Sequence, residues 1–300
     1  MNLLEKCYTL LILAAVVIGL CIGQINGIGL YAEGAITPLL MIMLYLTFLN
    51  IPISKIQKAF KHKRFTYTSI IINFAWTPFL AWILALIFLH DNLALMIGLI
   101  MLLVTPCTDW YLIFTGIAKG NIALSAAILP LNFLLQVVLL PFYLFLFTGA
   151  TGAIKLSFLF ESMVAVFAIP FALALLTNVL LSRKPFIKDT VLQKVSMLPM
   201  LLLSLAITAL FASKGSLLFE HFDLLWLLVC PIVFFFLINY IISQTVGKLG
   251  RFQNADRVSL SLTTLARNSP VALAIAMTAF PHEPLIALVL VIGPLLNCRF

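Results

Sequence analysis

Ten apolar runs, most of them near the roughly 20 residues that a helix needs to cross a hydrocarbon core, are separated by short polar tracts. They predict membrane spans at residues 8–24, 35–53, 66–89, 93–118, 122–147, 157–181, 195–212, 224–247, 258–280 and 285–298. The first run follows a single basic residue, Lys6, and the chain continues into further spans, so it reads as a helix and not as a signal peptide. Composition agrees: 63% of residues are apolar and 9% charged, against about 45–50% and 25% in soluble domains. This excludes a soluble enzyme, a disordered chain and a disulfide scaffold. The five cysteines are scattered and form no CxxC, which fits neither a disulfide set nor a zinc site.

The net charge of +8 is explained by topology. Lys55, Lys58, Lys61, Lys63 and Arg64 fall between the second and third spans, and Lys119 between the fourth and fifth. Arg183, Lys184, Lys188 and Lys194 follow the sixth, and Lys248, Arg251 and Arg257 follow the eighth. With Lys6 and Arg299, 15 of the 18 basic residues lie on one side, leaving Lys155 and Lys214 on the other. Cytoplasmic loops carry the excess of Lys and Arg. Both termini are therefore expected inside, in a plasma membrane of bacterial inner-membrane type, and an even span count follows. The basic tracts set orientation; no nucleic-acid partner is expected, and the lipid bilayer is the surrounding medium.

Two charges, Asp109 and Arg267, fall inside apolar spans. A charge near the bilayer centre costs at least about 2.5–3.5 kcal/mol, so it faces a cavity and often a partner. Asp109 ends Thr105-Pro106-Cys107-Thr108-Asp109, and Arg267 begins Arg267-Asn268-Ser269-Pro270. Each stretch carries a proline in mid-span, which removes a backbone donor and clashes with the preceding turn. The fourth and ninth spans are thus both interrupted, at corresponding places in two groups of five. Odd groups repeated are inverted in the membrane, and matched interruptions point to a transporter site near the midplane. The freed backbone groups are expected to be satisfied there by ions, water or substrate. The expected fold is an all-α polytopic membrane protein of two inverted five-helix repeats, residues 1–154 and 155–300.

The candidate binding residues are Thr105, Pro106, Cys107, Thr108, Asp109, Arg267, Asn268 and Ser269. Asp109 and Arg267 read either as a buried ion pair or as a proton carrier and an anion-compensating group. Secondary candidates are Asn73, Ser125, Asn132, Gln136, Asn239 and Thr263; interhelical hydrogen bonding is their other common use. No GxxxxGK[ST] pattern supports ATP drive. No enzyme constellation and no cofactor is expected, and the oligomeric state stays open.

Several stretches carry a resemblance. Ile117-Ala118-Lys119-Gly120-Asn121-Ile122-Ala123-Leu124-Ser125, Leu131-Asn132-Phe133-Leu134-Leu135-Gln136, Asn268-Ser269, Leu273-Ala274-Ile275-Ala276 and Gly293-Pro294-Leu295 resemble motifs of the bile acid:sodium symporter superfamily, and within it of the arsenite exporters of the arsenical-resistance type. The resemblance implies a panel of the first, second, sixth and seventh spans and a core in which broken fourth and ninth helices cross. Sodium-coupled members carry small polar residues where Tyr111 and Leu112 stand, a hydroxyl where Leu129 stands, and an acid and a glutamine near Thr263 and Arg267. A cation gained there disfavours sodium, and the coupling ion is left between H⁺ and Na⁺. The arsenite branch has a cysteine twelve residues before the lysine of its Ala-Lys-Gly motif, a spacing kept by Cys107 and Lys119. A thiolate suits soft, thiophilic As(III), which makes Cys107 the one candidate metal(loid) ligand. That branch usually has arginine where Pro106 stands and a glutamate near Ala272. The implied function is secondary transport of a small solute by alternating access, with arsenite efflux against protons first. An organic-anion symporter using Arg267 comes second, and a non-transporting membrane receptor or scaffold third.

Overall fold

The computed structural model describes residues 8–25, 27–50, 60–107, 110–148, 156–182, 192, 195, 198–215, 222–280 and 283–297. Its described elements are helical: α1 (Tyr8–Ile22), α2 (Ile28–Asn50), α3 (Lys63–Leu89), α4 (Leu93–Val104), α5 (Trp110–Ile117) and α6 (Ile122–Thr148). They continue with α7 (Leu156–Ser182), α8 (Leu198–Lys214), α9 (Phe222–Leu249), α10 (Asn254–Leu265), α11 (Ser269–Ala279) and α12 (Pro284–Asn297). Among the described residues, four helical stretches are long and apolar enough to cross a membrane: Ile28–Asn50, Lys63–Leu89, Ile122–Phe147 and Trp226–Leu249. Shorter apolar helices accompany them. The expected fourth span is two helices, α4 and α5, and the expected ninth is α10 and α11, with the interruptions where the prolines placed them. The second helix starts earlier than expected, because Pro38 is accommodated inside it.

The chain folds into two compact units, neither continuous in sequence. One comprises 1–51, 158–222 and 273–300, the other 52–157 and 223–272. Each half of the sequence contributes to both.

In the first unit α8 packs on both α1 and α2. Glycine sets the α1–α8 approach: a Cβ on Gly19 would lie 2.8 Å from Cβ of Phe211, and one on Gly23 would lie 2.6 Å from the carbonyl oxygen of Ala212. Small residues let helix backbones close in where no hydrophobic force draws helices together. The Thr208 hydroxyl donates to the Ala15 carbonyl at 3.2 Å across the same seam. Lys214 pairs with Glu33 at 3.0 Å.

In the second unit α3 and α4 form an antiparallel hairpin, with Asn92 capping α4 through its side-chain oxygen and the Leu95 amide (3.1 Å). Every residue of α4 from Leu95 to Val104 is buried. A helix apolar on all sides requires this enclosure. An apolar cluster of Phe65, Ile72, Leu124, Ile128 and Leu260 ties α3, α6 and α10 together.

Candidate functional site

The site is built where two helices stop halfway. At about 1.5 Å per residue, the 12 residues of α4 reach about 18 Å and the 8 of α5 about 12 Å. Neither half crosses a core of about 30 Å, while the two together do. The same holds for α10 and α11, with 12 and 11 residues. Proline sets the first stop, because the residue before a proline is driven out of the helical region. Thr105, preceding Pro106, is extended (φ −97°, ψ 101°). The second stop is a helix start: Asn268 caps α11 by accepting from the Val271 amide at 3.3 Å, and Pro270 stands in the first turn.

The two unwound segments run antiparallel and bond to each other. The Cys107 amide donates to the Ala266 carbonyl at 2.9 Å and the Asn268 amide to the Thr105 carbonyl at 2.8 Å, on either side of the Pro106–Arg267 pair. This corrects the expectation that ions, water or substrate must satisfy these backbone groups. Four of them, the Cys107 and Asn268 amides and the Ala266 and Thr105 carbonyls, satisfy one another, because the two breaks offer complementary donors and acceptors.

Arg267 completes the crossing. Its guanidinium donates from Nη1 to the Leu103 carbonyl (3.0 Å), from Nε to the Leu265 carbonyl (3.3 Å) and from Nη2 to the Thr264 carbonyl. Leu103 lies in the last turn of α4, and Thr264 and Leu265 in that of α10. The orphan C-terminal carbonyls of both half-helices, which carry the negative ends of the helix dipoles, therefore converge on one cation. Nη2 also donates to Asn73 Oδ1 at 3.2 Å, and the Phe235 ring faces the guanidinium at 5.1 Å. Four of its five N–H groups are committed. The Cys107 thiol is buried in the same unwound segment.

Asn73 reaches Arg267 because α3 is not regular. Residues Ile72–Trp76 form a π turn, in which the Thr77 amide bonds to the Ile72 carbonyl. Pro78 follows and has no N–H for the carbonyl of Phe74, four residues before it. The Tyr143 hydroxyl supplies that donor at 2.5 Å. Asn73 also donates to the Thr263 carbonyl at 3.4 Å. Sequence reasoning missed the π turn and Tyr143; the Thr77-Pro78 pair in mid-span was the available signal.

The Lys119-Gly120-Asn121 motif is a clasp. Lys119 takes the left-handed conformation (φ 57°) that ends α5, and the Gly120 amide closes the turn on the Thr115 carbonyl at 2.7 Å. A Cβ at Gly120 would lie 2.7 Å from Thr115 Cγ2 and 3.0 Å from Val258 Cγ1. Asn121 caps α6 through the Leu124 amide (3.1 Å) and donates to Asp256 Oδ1 of α10 at 2.9 Å. The motif thus joins both broken spans at one end.

The other expected site residues separate into two groups. Thr105 folds its hydroxyl onto the Met101 carbonyl (2.9 Å), so Thr105, Pro106 and Asn268 build the crossing. In contrast, Asn132, Gln136 and Asn239 have both amide atoms buried without a hydrogen-bond partner among the described residues. The same is true of the hydroxyls of Ser125, Thr263 and Ser269, and of Thr77. Ser125, Asn132, Gln136 and Tyr143 share one face of α6 by their heptad spacing. Asn239 lies one turn from Phe235 on α9, whereas its neighbour Tyr240 is exposed. Thr263 is in the last turn of α10 and Ser269 begins α11. Thr108 and Asp109 lie outside the described residues.

A sequence model of the Sodium Bile acid symporter family matches residues 37–221, more than half of the chain. The chain belongs to this family. Its members are transporters and not enzymes, so this family member is a multi-pass membrane protein of a secondary-transporter family. It is similar to the Arsenical-resistance protein Acr3 of Corynebacterium glutamicum, 24% identical over 318 aligned residues that cover 99% of this chain and 86% of the relative. It is also similar to the Uncharacterized protein YbaS of Bacillus subtilis, 26% identical over 286 residues covering 94% and 90%.

Proposed function

We propose that this family member exports arsenite by alternating access, in exchange for protons, across a bacterial inner membrane. The carrying observation is a set of uncharged polar groups buried, without a hydrogen-bond partner among the described residues, in the unit that holds the crossing: the amides of Asn132, Gln136 and Asn239 and the hydroxyls of Thr263 and Ser269. Each unsatisfied buried group costs about 1–3 kcal/mol, so such a set is kept for a ligand. Amides and hydroxyls both donate and accept, which suits a small neutral polyol such as arsenious acid better than an anion. Cys107, buried in the unwound segment, adds the soft ligand that As(III) prefers. Similarity to an arsenical-resistance protein over 99% of the chain supports the same reading. The ten-span, twice-five inverted plan with both termini in the cytoplasm is the architecture in which this site would work. Asp109, two residues after Cys107 in the sequence, is the proton-carrying group of this proposal.

The organic-anion reading asks Arg267 to bind a carboxylate or sulfonate. Four of its N–H groups already serve Leu103, Thr264, Leu265 and Asn73. A bidentate anion contact needs two, so the geometry favours the neutral solute.

The test is As(III) uptake into everted membrane vesicles carrying the protein, energised by a proton gradient. Accumulation above control vesicles that is lost with Cys107→Ser supports the proposal. No accumulation from protein shown to be folded overturns arsenite as the solute.

A further inference from the structure

We infer that Arg267 is a tethered counter-cation: its guanidinium holds the place that a mobile monovalent cation would otherwise take between the C-terminal ends of the two half-helices. The inference stands apart from the arsenite reading, since it concerns the crossing and not the solute. Two helix C-termini brought together in a membrane interior place their orphan carbonyls and the negative ends of their dipoles at one point. Discontinuous helices commonly meet this by coordinating an ion with unwound carbonyls and half-helix C-termini. Here the Leu103, Thr264 and Leu265 carbonyls and the Asn73 amide oxygen all accept from one buried side chain, and the Phe235 ring adds its negative face. That set of four oxygens resembles the shell a sodium or potassium ion would want. A guanidinium fills it with directional N–H groups and, unlike an ion, cannot leave. Two consequences follow. The crossing needs no inorganic cation to hold together, and removing the side chain creates a cation site where none existed.

The experiment uses the purified full-length protein in detergent and reads its melting temperature in sodium, potassium and choline chloride, each with and without low-millimolar guanidinium. The wild type should melt at one temperature in all of them. Arg267→Ala should melt several degrees lower in choline, and guanidinium or sodium should restore at least half of that loss. A wild type stabilised by sodium over choline overturns the inference. So does a folded Arg267→Ala that no cation stabilises. If Arg267→Ala does not accumulate, Arg267→Lys and Arg267→Met decide: retention of fold by lysine and its loss with methionine support a cation requirement, and the reverse order or equal behaviour overturns it. None of these readouts depends on arsenite, so failure of the transport proposal and failure of this one are separable.

Discussion

Replacing the unpartnered amides of α6 should make the protein more stable and less active. Asn132 and Gln136 are mid-helix, buried, and lack partners for both amide atoms among the described residues. Burying an amide without a hydrogen bond costs about 1–3 kcal/mol by protein mutational data. Asn132→Leu and Gln136→Met remove that cost while keeping the side-chain shape similar. Taking the lower end, about 1 kcal/mol from each, the pair should gain about 2 kcal/mol, or roughly 4–8 °C in melting temperature. The two side chains are one turn apart and can couple, so both single variants and the double are measured to separate the sum from their interaction. The same change deletes up to two solute hydrogen bonds of about 0.5–1.5 kcal/mol each, a loss of about 5- to 150-fold in apparent affinity. The assay pairs reversible unfolding in mixed micelles with vesicle uptake. A double variant destabilised by more than about 1 kcal/mol, with uptake intact, would refute the reasoning: the amides would then be interhelical struts.

Three further outcomes are expected. Cys107→Ser should leave protein level unchanged and stability within about 1 kcal/mol of wild type while abolishing arsenite resistance in cells; retained resistance would remove the thiol from the mechanism. Tyr143→Phe strips the Phe74 carbonyl of its donor and should cost about 1–3 kcal/mol, but much less alongside Pro78→Ala, which returns an amide to that carbonyl; equal costs in both backgrounds would mean the hydroxyl bond is incidental. Gly120→Ala places a methyl 2.7 Å from Thr115 Cγ2 and should lower stability by about 1–3 kcal/mol, read by unfolding, with Asn121→Ala weakening the same clasp.

The positions of the helices were legible because run length and charge sorting depend on composition alone. The breaks were legible because Pro106 and Pro270 act locally on their own backbone. The partners of Arg267 were not. They are carbonyls of Leu103, Thr264 and Leu265, and a carbonyl belongs to every residue, so no side-chain pattern announces it. The sequence offered Asp109, which lies outside the described residues, as one partner; the partners the structure does describe are two helix ends. The π turn escaped for a related reason: Pro78 was visible, but the donor that compensates it, Tyr143, is far along the chain. Lys119-Gly120-Asn121 was readable as a family motif while its purpose, a joint to Asp256 and Ser259, needed the fold. The unpartnered state of Asn132 and Gln136 is a property of packing that a list of residues does not contain.

The paired unwound segments also dictate an order of assembly. The ribosome completes α4 long before it reaches Arg267 and Asn268, yet among the described residues it is these that supply the donors for the Leu103 and Thr105 carbonyls. Until then the nascent chain holds two half-spans, each too short to cross the bilayer alone, with polar backbone in lipid that cannot hydrogen-bond it. Biogenesis therefore passes through a stage in which the first half waits for the second. A ribosome stalled after α6 should leave a fragment that quality-control proteases remove, and co-expression of the missing segment should rescue it.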